Sequence, residues 1–295
     1  MTAAAGQGAS PGEPAAAEIR ELVDVAAGLA REAGALLLGY YEGAAPRAGL
    51  AETIRSKSTR TDLVTAADRA SELLILSRLS QLRPGDAVLA EEGGGRTGRT
   101  GLTWVVDPLD GTINFIYGFP AFAVSIGCER EGMRLAGAVF DPVRGELFTA
   151  GRGLGARLGD LPLAVGDGPP LAEALVSTGF GYAAERRGAQ ARVLQSVLPR
   201  VRDIRRAGAA ALDLCWVAAG RVDAFYEAGL APWDLSAGAL VVSEAGGAVE
   251  RLAGVVPSAE TVVAGPPRLA RELARLLEGA SAAHGEAEAA SPTRS

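Results

Sequence analysis

One stretch of the sequence, residues 104–115, restricts the fold more than any other. It reads WVVDPLDGTINF, and its first three residues are typical of a buried strand. Proline lacks a backbone N–H and keeps the residue before it out of the helical region, so Asp107 is predicted to end that strand. A second carboxylate, Asp110, follows, and Gly111-Thr112 is predicted to begin a helix. A strand that ends in acids and turns into a helix indicates an α/β fold.

The two carboxylates of this stretch, Asp107 and Asp110, are predicted to lie side by side. Like charges at that separation repel each other, and a cation between them is the simplest means of keeping both ionised. A divalent ion with oxygen ligands alone indicates Mg²⁺ rather than zinc. The backbone N–H groups of Gly111 and Thr112, at a helix start, suit an anion such as phosphate. Metal and phosphate at one turn indicate phosphoryl chemistry.

The composition excludes several classes of function. The chain has 295 residues, 48% of them hydrophobic, which is enough for one large α/β domain or two small ones with a proper core. A net charge of −6 argues against nucleic-acid binding through a basic face and favours a small soluble substrate. The only histidine is His284, in a polar stretch near the C-terminus. A Ser-His-Asp triad, a histidine base and a histidine-ligated zinc are therefore excluded.

The expected location is the cytoplasm. The N-terminus has neither the positive charge nor the apolar core of a signal peptide, and no apolar run approaches the length of a membrane span, about 18 residues. Cys128 and Cys215 lie far apart in apolar contexts, as expected of reduced, buried thiols. No membrane partner is predicted.

Composition without periodicity predicts two disordered tails, 1–16 and 280–295, and the folded part of the chain is predicted over residues 17–279. Helices are predicted over residues 18–41, 65–82, 184–198, 209–219, 232–245 and 267–277. Strands are predicted over residues 88–90, 104–106, 121–128, 135–140, 146–150, 203–205, 222–226, 248–251 and 261–264. At the start of the second helix, Thr65 with Asp68 three residues later resembles a capping box.

Three loops have more than one interpretation. The segment 42–62 contains the basic cluster 55–60, which is either a solvated loop or a mobile lid over an anionic substrate. Residues 93–100, GGGRTGRT, resemble a phosphate-binding P-loop, but they lead into a strand and lack its lysine, so a connector is predicted. Residues 151–155, GRGLG, match a dinucleotide motif only loosely, and a tight turn is predicted.

Several acids stand where a predicted element begins or ends, and they come from five separate stretches. These are Asp68, Glu91, Asp107, Asp110, Glu227 and Asp234. Asp68 and Asp234 each have a structural explanation, because an acid in the first turn of a helix is favoured by the helix dipole. Asp107 and Asp110 have none that the sequence reveals. Since Mg²⁺ needs several oxygen ligands, the acids are predicted to share one site.

The sequence resembles the inositol monophosphatase family, whose members are magnesium-dependent and commonly lithium-sensitive phosphatases. The central signature of the family corresponds to residues 104–115, and the C-terminal signature to PWDLSAG at 232–238 with EAGG at 244–247. Residues 63–68, 91–92 and 208–214 follow the family order as well. The resemblance covers about residues 18–278. It implies a layered α-β-α-β-α sandwich that assembles as a homodimer and binds two or three Mg²⁺ ions.

The resemblance also implies a role for each site residue. The metal ligands would be Glu91, Asp107, the Leu109 carbonyl oxygen, Asp110 and Asp234, with Asp107 bridging two ions. The substrate would be a small phosphorylated polyol, and its contacts would come from Gly111 and Thr112 at the phosphate, Asp110, Glu227 and the Ala210 region at the hydroxyls, and Lys57 in the mobile loop. Asp68 and Thr112, with Glu91, would orient and activate the water that attacks phosphorus.

The particular substrate stays open at this point. Ala90, Ala209 and Leu235 depart from the residues common in the family, and the last two lie near the expected substrate side. Inositol monophosphate is the leading prediction. Histidinol phosphate, fructose 1,6-bisphosphate and a nucleotide bisphosphate are the alternatives within the same fold. A regulatory protein that keeps the fold and acts through a partner surface is the alternative from a different class.

Overall fold

The computed structural model describes residues 14–43, 55–56, 63–64, 66–256 and 259–289. Its helices are α1 Ala16–Gly43, α2 Ala66–Leu82, α3 Thr112–Tyr117, α4 Ala184–Val197, α5 Ala210–Ala218, α6 Pro232–Glu244 and α7 Pro267–Ala289. Two short 3-10 helices cover Leu171–Glu173 and Leu198–Arg200. The helices predicted from the periodicity are all present in the described residues, so the 3.6-residue pattern was a sound guide.

Fourteen strands among the described residues form three sheets. They are β1 Arg55–Ser56, β2 Leu63–Val64, β3 Ala87–Ala90, β4 Leu102–Asp110, β5 Ala123–Arg130, β6 Met133–Asp141, β7 Glu146–Gly151, β8 Gly155–Leu158, β9 Leu161–Pro162, β10 Leu175–Thr178, β11 Asp203–Arg205, β12 Ala224–Ala228, β13 Ala248–Val256 and β14 Ala259–Gly265. A seven-stranded sheet runs from β3 to β9 in chain order, with β3 parallel to β4 and the other pairs antiparallel. A five-stranded sheet has the order β11-β10-β12-β14-β13, and β1 pairs with β2 alone.

Three apolar clusters hold the sheets and helices in five layers. In the first cluster, α1 and α2 cover one face of the seven-stranded sheet, where Leu22 and Ile75 pack with Trp104. In the second cluster, α5 and α6 fill the space between the two large sheets, where Leu212 packs among residues of both sheets. In the third cluster, α4 and α7 cover the outer face of the five-stranded sheet. This order of layers confirms the predicted α-β-α-β-α sandwich.

The middle layer explains the composition of α5. Its residues, AALDLCWVA, are apolar on almost every side, and all but Trp216 are buried. A helix that is hydrophobic all round must be covered all round, and two sheets on opposite sides provide that cover. The helix therefore lies in the interior with its N-terminus directed at the end of β4, a placement that matters for the site described below.

Two glycines allow α6 to approach the seven-stranded sheet closely. A Cβ atom built on Gly137 of β6 would lie 2.9 Å from the Ala237 Cα of α6, and one built on Gly127 of β5 would overlap the Ser236 side chain. Backbone and helix are thus in direct contact at these positions. The close approach fixes the position of α6, which carries Asp234 in its first turn.

The structure corrects several predicted boundaries. Strand β4 continues through Pro108 to Asp110, whereas Asp107 was predicted to be its last residue. Its pairing with β5 is irregular between Asp107 and Asp110, so the missing proline N–H removes no regular ladder bond there. The short strands β1, β2, β8, β9 and β10 were not predicted. Helix α7 continues to Ala289, so residues 280–289 are helical where a disordered tail was predicted.

Some predictions fall outside the described residues. The tail segments 1–13 and 290–295, the capping residue Thr65 and the loop lysine Lys57 all lie there. Residues 55–56, the described part of the basic loop, pair with residues 63–64 as two short strands. None of the described helices combines the length and the apolar character that crossing a bilayer requires.

Candidate active site

A cleft of about 340 Å³ lies where β4 and β12 end and where α5 and α6 begin. Of the predicted site residues that the structure describes, all except Asp68 line it, and Lys57 falls outside the described residues. Those that do are Glu91, Asp107, Leu109, Asp110, Gly111, Thr112, Ala210, Glu227 and Asp234. The chain therefore brings together residues that stand more than 140 positions apart in the sequence, as the prediction of one shared site required.

Parallel pairing between β3 and β4 places Glu91 beside Asp107. Ala90 is the register partner of Val106, and the Glu91 N–H continues the ladder by donating to the Val106 carbonyl at 3.2 Å. The next residue on each strand is an acid. Because both strands run in the same direction, their carboxyl ends meet at one sheet edge, and the two carboxylates face the same cleft.

Local hydrogen bonds fix the turn after Asp107. The Leu109 N–H donates to Asp107 Oδ1 at 3.0 Å, and the Thr112 hydroxyl donates to the Leu109 carbonyl oxygen at 3.1 Å. Gly111 adopts φ +87°, and a Cβ atom built there would lie 2.8 Å from the Ala121 carbonyl oxygen. Only glycine fits this conformation and this space. The turn therefore depends on the residues that make up the signature.

Asp110 has a structural role that the sequence did not reveal. Helix α5 has alanine at its N-cap position, Ala209, and no side-chain cap of its own. The Asp110 carboxylate accepts the Ala210 N–H at 3.2 Å and the Ala211 N–H at 2.8 Å instead. A carboxylate is favoured at a helix N-terminus by the free N–H groups and by the helix dipole. Asp110 therefore joins the end of β4 to a helix 100 residues later.

Asp234 and Glu227 enter the cleft from the side of the five-stranded sheet. Asp234 is the third residue of α6, and its carboxylate accepts the Ala231 N–H at 2.7 Å, so the helix-start role predicted for it is present. Glu227 extends from β12, and its carboxylate lies against Gly179, where a Cβ atom would overlap it. Both acids face the cleft while keeping these local contacts.

Burial and the repulsion of neighbouring acids raise the pKa of Asp107, Asp110, Asp234 and Glu227 in the cleft. The pKa of Asp107 is raised well above its ordinary value, first by burial and then by the charges of Glu91, Asp110, Asp234 and Asp68. Burial is also the main reason that the pKa values of Asp110 and Asp234 rise to about 7. Such a cluster gains stability from a cation that offsets its charge.

The donor set of the cleft fits a hard divalent cation. The described residues that line the cleft offer carboxylate, hydroxyl and backbone carbonyl oxygens, and none of them carries sulfur or imidazole. No three of the described His, Cys, Asp or Glu side chains already converge as a ready-made metal site. The chemistry of the donors and the raised pKa values of Asp107, Asp110 and Asp234, rather than a preformed geometry, therefore support metal binding here.

Asp68 lies behind the cleft rather than at its surface. It is fully buried in the first turn of α2, and its charge contributes to the raised pKa of Asp107. From the same helix the Ser71 hydroxyl donates to the Pro108 carbonyl oxygen at 2.8 Å. Helix α2 is therefore in direct contact with the acidic turn, and Asp68 lies close enough to act on it electrostatically.

Two arginines that were not predicted from the sequence also line the cleft. Arg186 comes from the start of α4, and Arg206 from the loop between β11 and α5. Both belong to arginine pairs in polar segments, 186–187 and 205–206, so only the fold distinguishes the member that faces the cleft. The aromatic residues Phe180, Tyr182 and Trp233 line the same cleft.

Comparisons with known proteins cover most of the chain. The profile of the inositol monophosphatase family matches residues 18–282. An inositol-1-monophosphatase from Mycobacterium leprae is 47% identical over 236 residues, which make up 76% of this chain and 81% of that protein. A Nus factor SuhB from Pasteurella multocida is 39% identical over 261 residues, 87% of this chain and 96% of that protein. The crystal structure of the extragenic suppressor protein suhB from Bartonella henselae matches with a TM-score of 0.78 at 37% identity, over 87% of this chain and 98% of that one.

Proposed function

The chain belongs to the inositol monophosphatase family and is a phosphatase, and from this premise we propose that it hydrolyses inositol monophosphate to inositol and phosphate in a Mg²⁺-dependent reaction. The observation that carries the proposal is the acidic cleft. Its buried carboxylates have raised pKa values and face the glycine turn at Gly111-Thr112, where a phosphate would bind.

The residues that would hold two or three Mg²⁺ ions are Glu91, Asp107, Asp110, Asp234 and the Leu109 carbonyl oxygen. When bound, Mg²⁺ supplies Lewis-acid stabilisation of the phosphate and of the departing alcohol oxygen. The N–H groups at Gly111 and Thr112 orient the phosphate. Asp68 and the Thr112 hydroxyl orient the attacking water, with Glu91 taking part. Glu227 and the start of α5 at Ala210 position the substrate hydroxyls, and Lys57 of the basic loop contacts the substrate.

Three further properties follow from the same proposal. We expect inhibition by lithium and assembly as a homodimer, as in the family that the sequence resembles. We expect a cytoplasmic location, because Cys128 and Cys215 are free, buried thiols.

A substrate panel tests the proposed activity. Phosphate release from inositol 1-phosphate, histidinol phosphate, fructose 1,6-bisphosphate and adenosine 3′,5′-bisphosphate is measured with Mg²⁺ and with a chelator. We expect turnover of inositol 1-phosphate that disappears with the chelator. Turnover of another ester without turnover of inositol 1-phosphate would contradict the substrate, and undiminished turnover with the chelator would contradict the role of the metal.

The name Nus factor, carried by the relative from Pasteurella multocida, supports a second candidate function. In this function the same fold acts through a protein partner in transcription. Purification from cells with the chain tagged separates the two functions. A stoichiometric protein partner, together with the absence of Mg²⁺-dependent phosphate release, would favour the regulatory function over the enzymatic one.

A further inference from the structure

Side chains of both charges line the cleft. Arg186 and Arg206 stand among its carboxylates and are the only cationic side chains that line it within the described part of the chain. An inositol monophosphate has a single anionic group, and the proposed function assigns that group to the end with Gly111 and Thr112. The two guanidinium groups are therefore not required by that substrate.

Arg186 is held across two glycines at the cleft wall. A Cβ atom built on Gly181 would lie 2.5 Å from the Arg186 Cδ, and one built on Gly229 would lie 2.7 Å from its Nη1. The neighbouring Arg187 points elsewhere, and its guanidinium donates to the Gly181 and Tyr182 carbonyl oxygens. The Arg186 guanidinium makes no hydrogen bond or ion pair with the described residues, so its donors remain available to a ligand.

Arg206 is placed by a loop that the signature residue Asn114 anchors. The Asn114 side-chain amide donates to the Ala207 carbonyl at 2.8 Å and to the Ala121 carbonyl at 2.7 Å. Gly208 follows with φ +89°, and a Cβ atom there would overlap the Arg206 guanidinium. The neighbouring Arg205 instead pairs with Asp203 at 2.6 Å. In each arginine pair, one member bonds to other residues of the protein, and the other member faces the cleft.

Charge compensation is the competing role for Arg206. Its charge partly counteracts the burial that raises the pKa values of Glu227 and Asp213. Arg206 is exposed, however, and makes no ion pair with either acid among the described residues. Arg186 is not among the main influences on the pKa of either acid. Charge compensation therefore accounts for neither the position of Arg186 nor the convergence of two guanidinium groups on one cleft.

We propose that Arg186 and Arg206 form a second anion subsite, and that the preferred substrate is a phosphorylated polyol with a second anionic group such as another phosphate. Guanidinium groups bind phosphate and carboxylate through paired N–H donors, which gives direction as well as attraction. This inference rests on the proposed function, because it takes the phosphate at the metal-binding end as the one that is cleaved.

Matched arginine variants test the subsite. Arg186→Ala and Arg206→Ala are compared with Arg187→Ala and Arg205→Ala, which remove the neighbouring arginines that do not line the cleft. Initial rates are measured with inositol 1-phosphate and inositol 1,4-bisphosphate. We expect the wild type to favour the bisphosphate in kcat/KM. Each cleft variant should lose about 10-fold or more on the bisphosphate, mainly through KM, and change by less than about 2-fold on the monophosphate.

In the control variants Arg187→Ala and Arg205→Ala, kcat/KM for both esters should stay within about 2-fold of wild type. Arg186→Lys should recover part of the loss on the bisphosphate, because it restores the charge without the paired donors. Equal losses on both esters would overturn the subsite and favour charge compensation. A wild type that favours the monophosphate would overturn it as well.

Calorimetric binding of both esters in Mg²⁺ separates this inference from the proposed function. An enzyme that binds the bisphosphate through the two arginines but hydrolyses neither ester would contradict the proposed function and support the subsite. Hydrolysis of the monophosphate, with bisphosphate affinity unchanged in both cleft variants, would support the proposed function and overturn the subsite.

Discussion

At the scale of single residues, Asp107 and Asp86 are two buried carboxylates with opposite surroundings. Each is 2% exposed. Asp107 faces four other acids, and its pKa is raised by burial and by their charges. Asp86 accepts hydrogen bonds from the Arg83 guanidinium, the Thr100 hydroxyl and the Trp104 indole N–H. The first is expected to serve catalysis and the second to serve stability.

The Asp107→Asn variant tests the catalytic half of this contrast. Asparagine has nearly the same shape but lacks the charge that a metal ligand supplies, so we expect kcat to fall by at least about 100-fold. The circular dichroism spectrum should not change. Asp86→Asn is the control, since it alters a buried acid outside the cleft and should keep most of the activity. A near-normal rate in Asp107→Asn would refute the assigned role.

The Asp86→Asn variant should lower the free energy of unfolding by about 2 kcal/mol at pH 7, because hydrogen bonds to a charged acceptor are lost. Burial alone would raise the pKa of Asp86, but the bonds from Arg83, Thr100 and Trp104 outweigh burial, and the pKa lies below its ordinary value of 3.8. A lowered pKa contributes stability above the ordinary value, and that contribution is lost as the pH falls through the folded-state value.

Urea unfolding at several pH values checks both parts of the Asp86 prediction. The free energies of unfolding of wild type and Asp86→Asn should differ by a constant amount near neutral pH, and this difference should become smaller below pH 3.8. Glu260→Gln, which removes an exposed ion pair with Arg251, should change the free energy of unfolding by less than about 0.5 kcal/mol. A pH-independent difference for Asp86→Asn would contradict the electrostatic explanation.

At the scale of elements, the contact between α6 and the seven-stranded sheet depends on the absence of a side chain at Gly137. In Gly137→Ala the new methyl group would meet the Ala237 backbone 2.9 Å away, and helix and sheet would have to separate. We expect a loss of about 1–3 kcal/mol in the free energy of unfolding. Because α6 carries Asp234, we also expect lower activity at temperatures where the variant stays folded.

Gly28→Ala is the matched control for that substitution. Gly28 lies within α1, is exposed, and has no atom within 4 Å of a Cβ built on it. Alanine is the better helix former, so this variant should gain about 0.5–1 kcal/mol. Thermal unfolding of both variants measures the contrast. If Gly137→Ala were as stable as Gly28→Ala, the close approach of α6 would not be what requires glycine.

At the scale of the whole molecule, the proposed Mg²⁺ binding in the acidic cleft is expected to increase the stability of the folded chain. Mg²⁺ that binds only the folded chain stabilises it by mass action, by about 2.7 kcal/mol at a concentration one hundred times Kd. For a chain of this size we expect Tm to rise by about 5 °C or more. Differential scanning calorimetry with Mg²⁺ and with a chelator measures the rise.

Asp107→Asn is again the informative variant. It should lose most of the increase in Tm with Mg²⁺. In the chelator it should unfold at or above the wild-type temperature, because it removes one of several buried acids that repel each other. A full Mg²⁺-dependent increase in the variant would show that the metal stabilises the chain from another site.

The predictability of the elements differs with their length and position. The long helices α1 and α2 were predicted to within two residues at each end, because their buried positions recur every three or four residues over several turns. Strand β10 was missed, although it lies inside the five-stranded sheet. It has only four residues, and its pairing with β11 and β12 is set by segments at least 25 residues away. A short run carries too little local pattern to show this.

The predictability of the site follows the same division. Asp107, Asp110 and the Gly111 turn could be predicted, because proline, glycine and closely spaced acids impose their conformation locally. The cap that Asp110 provides for α5 could not, since its partners Ala210 and Ala211 are 100 residues away. The sequence also could not show which arginine of each pair faces the cleft, because two adjacent arginines differ only in the direction that the fold gives their side chains.

The sequence by itself therefore determined the kind of chemistry: acids at the ends of elements, a glycine turn for an anion, and no histidine outside position 284. Only the tertiary structure decided which residues meet. Glu91 lies beside Asp107 because β3 and β4 pair in parallel, and Glu227 and Asp234 reach the same cleft through another sheet and another helix. The physical reason is that conformational preferences act over a few residues, whereas strand pairing and layer packing join segments without regard to their separation in the chain.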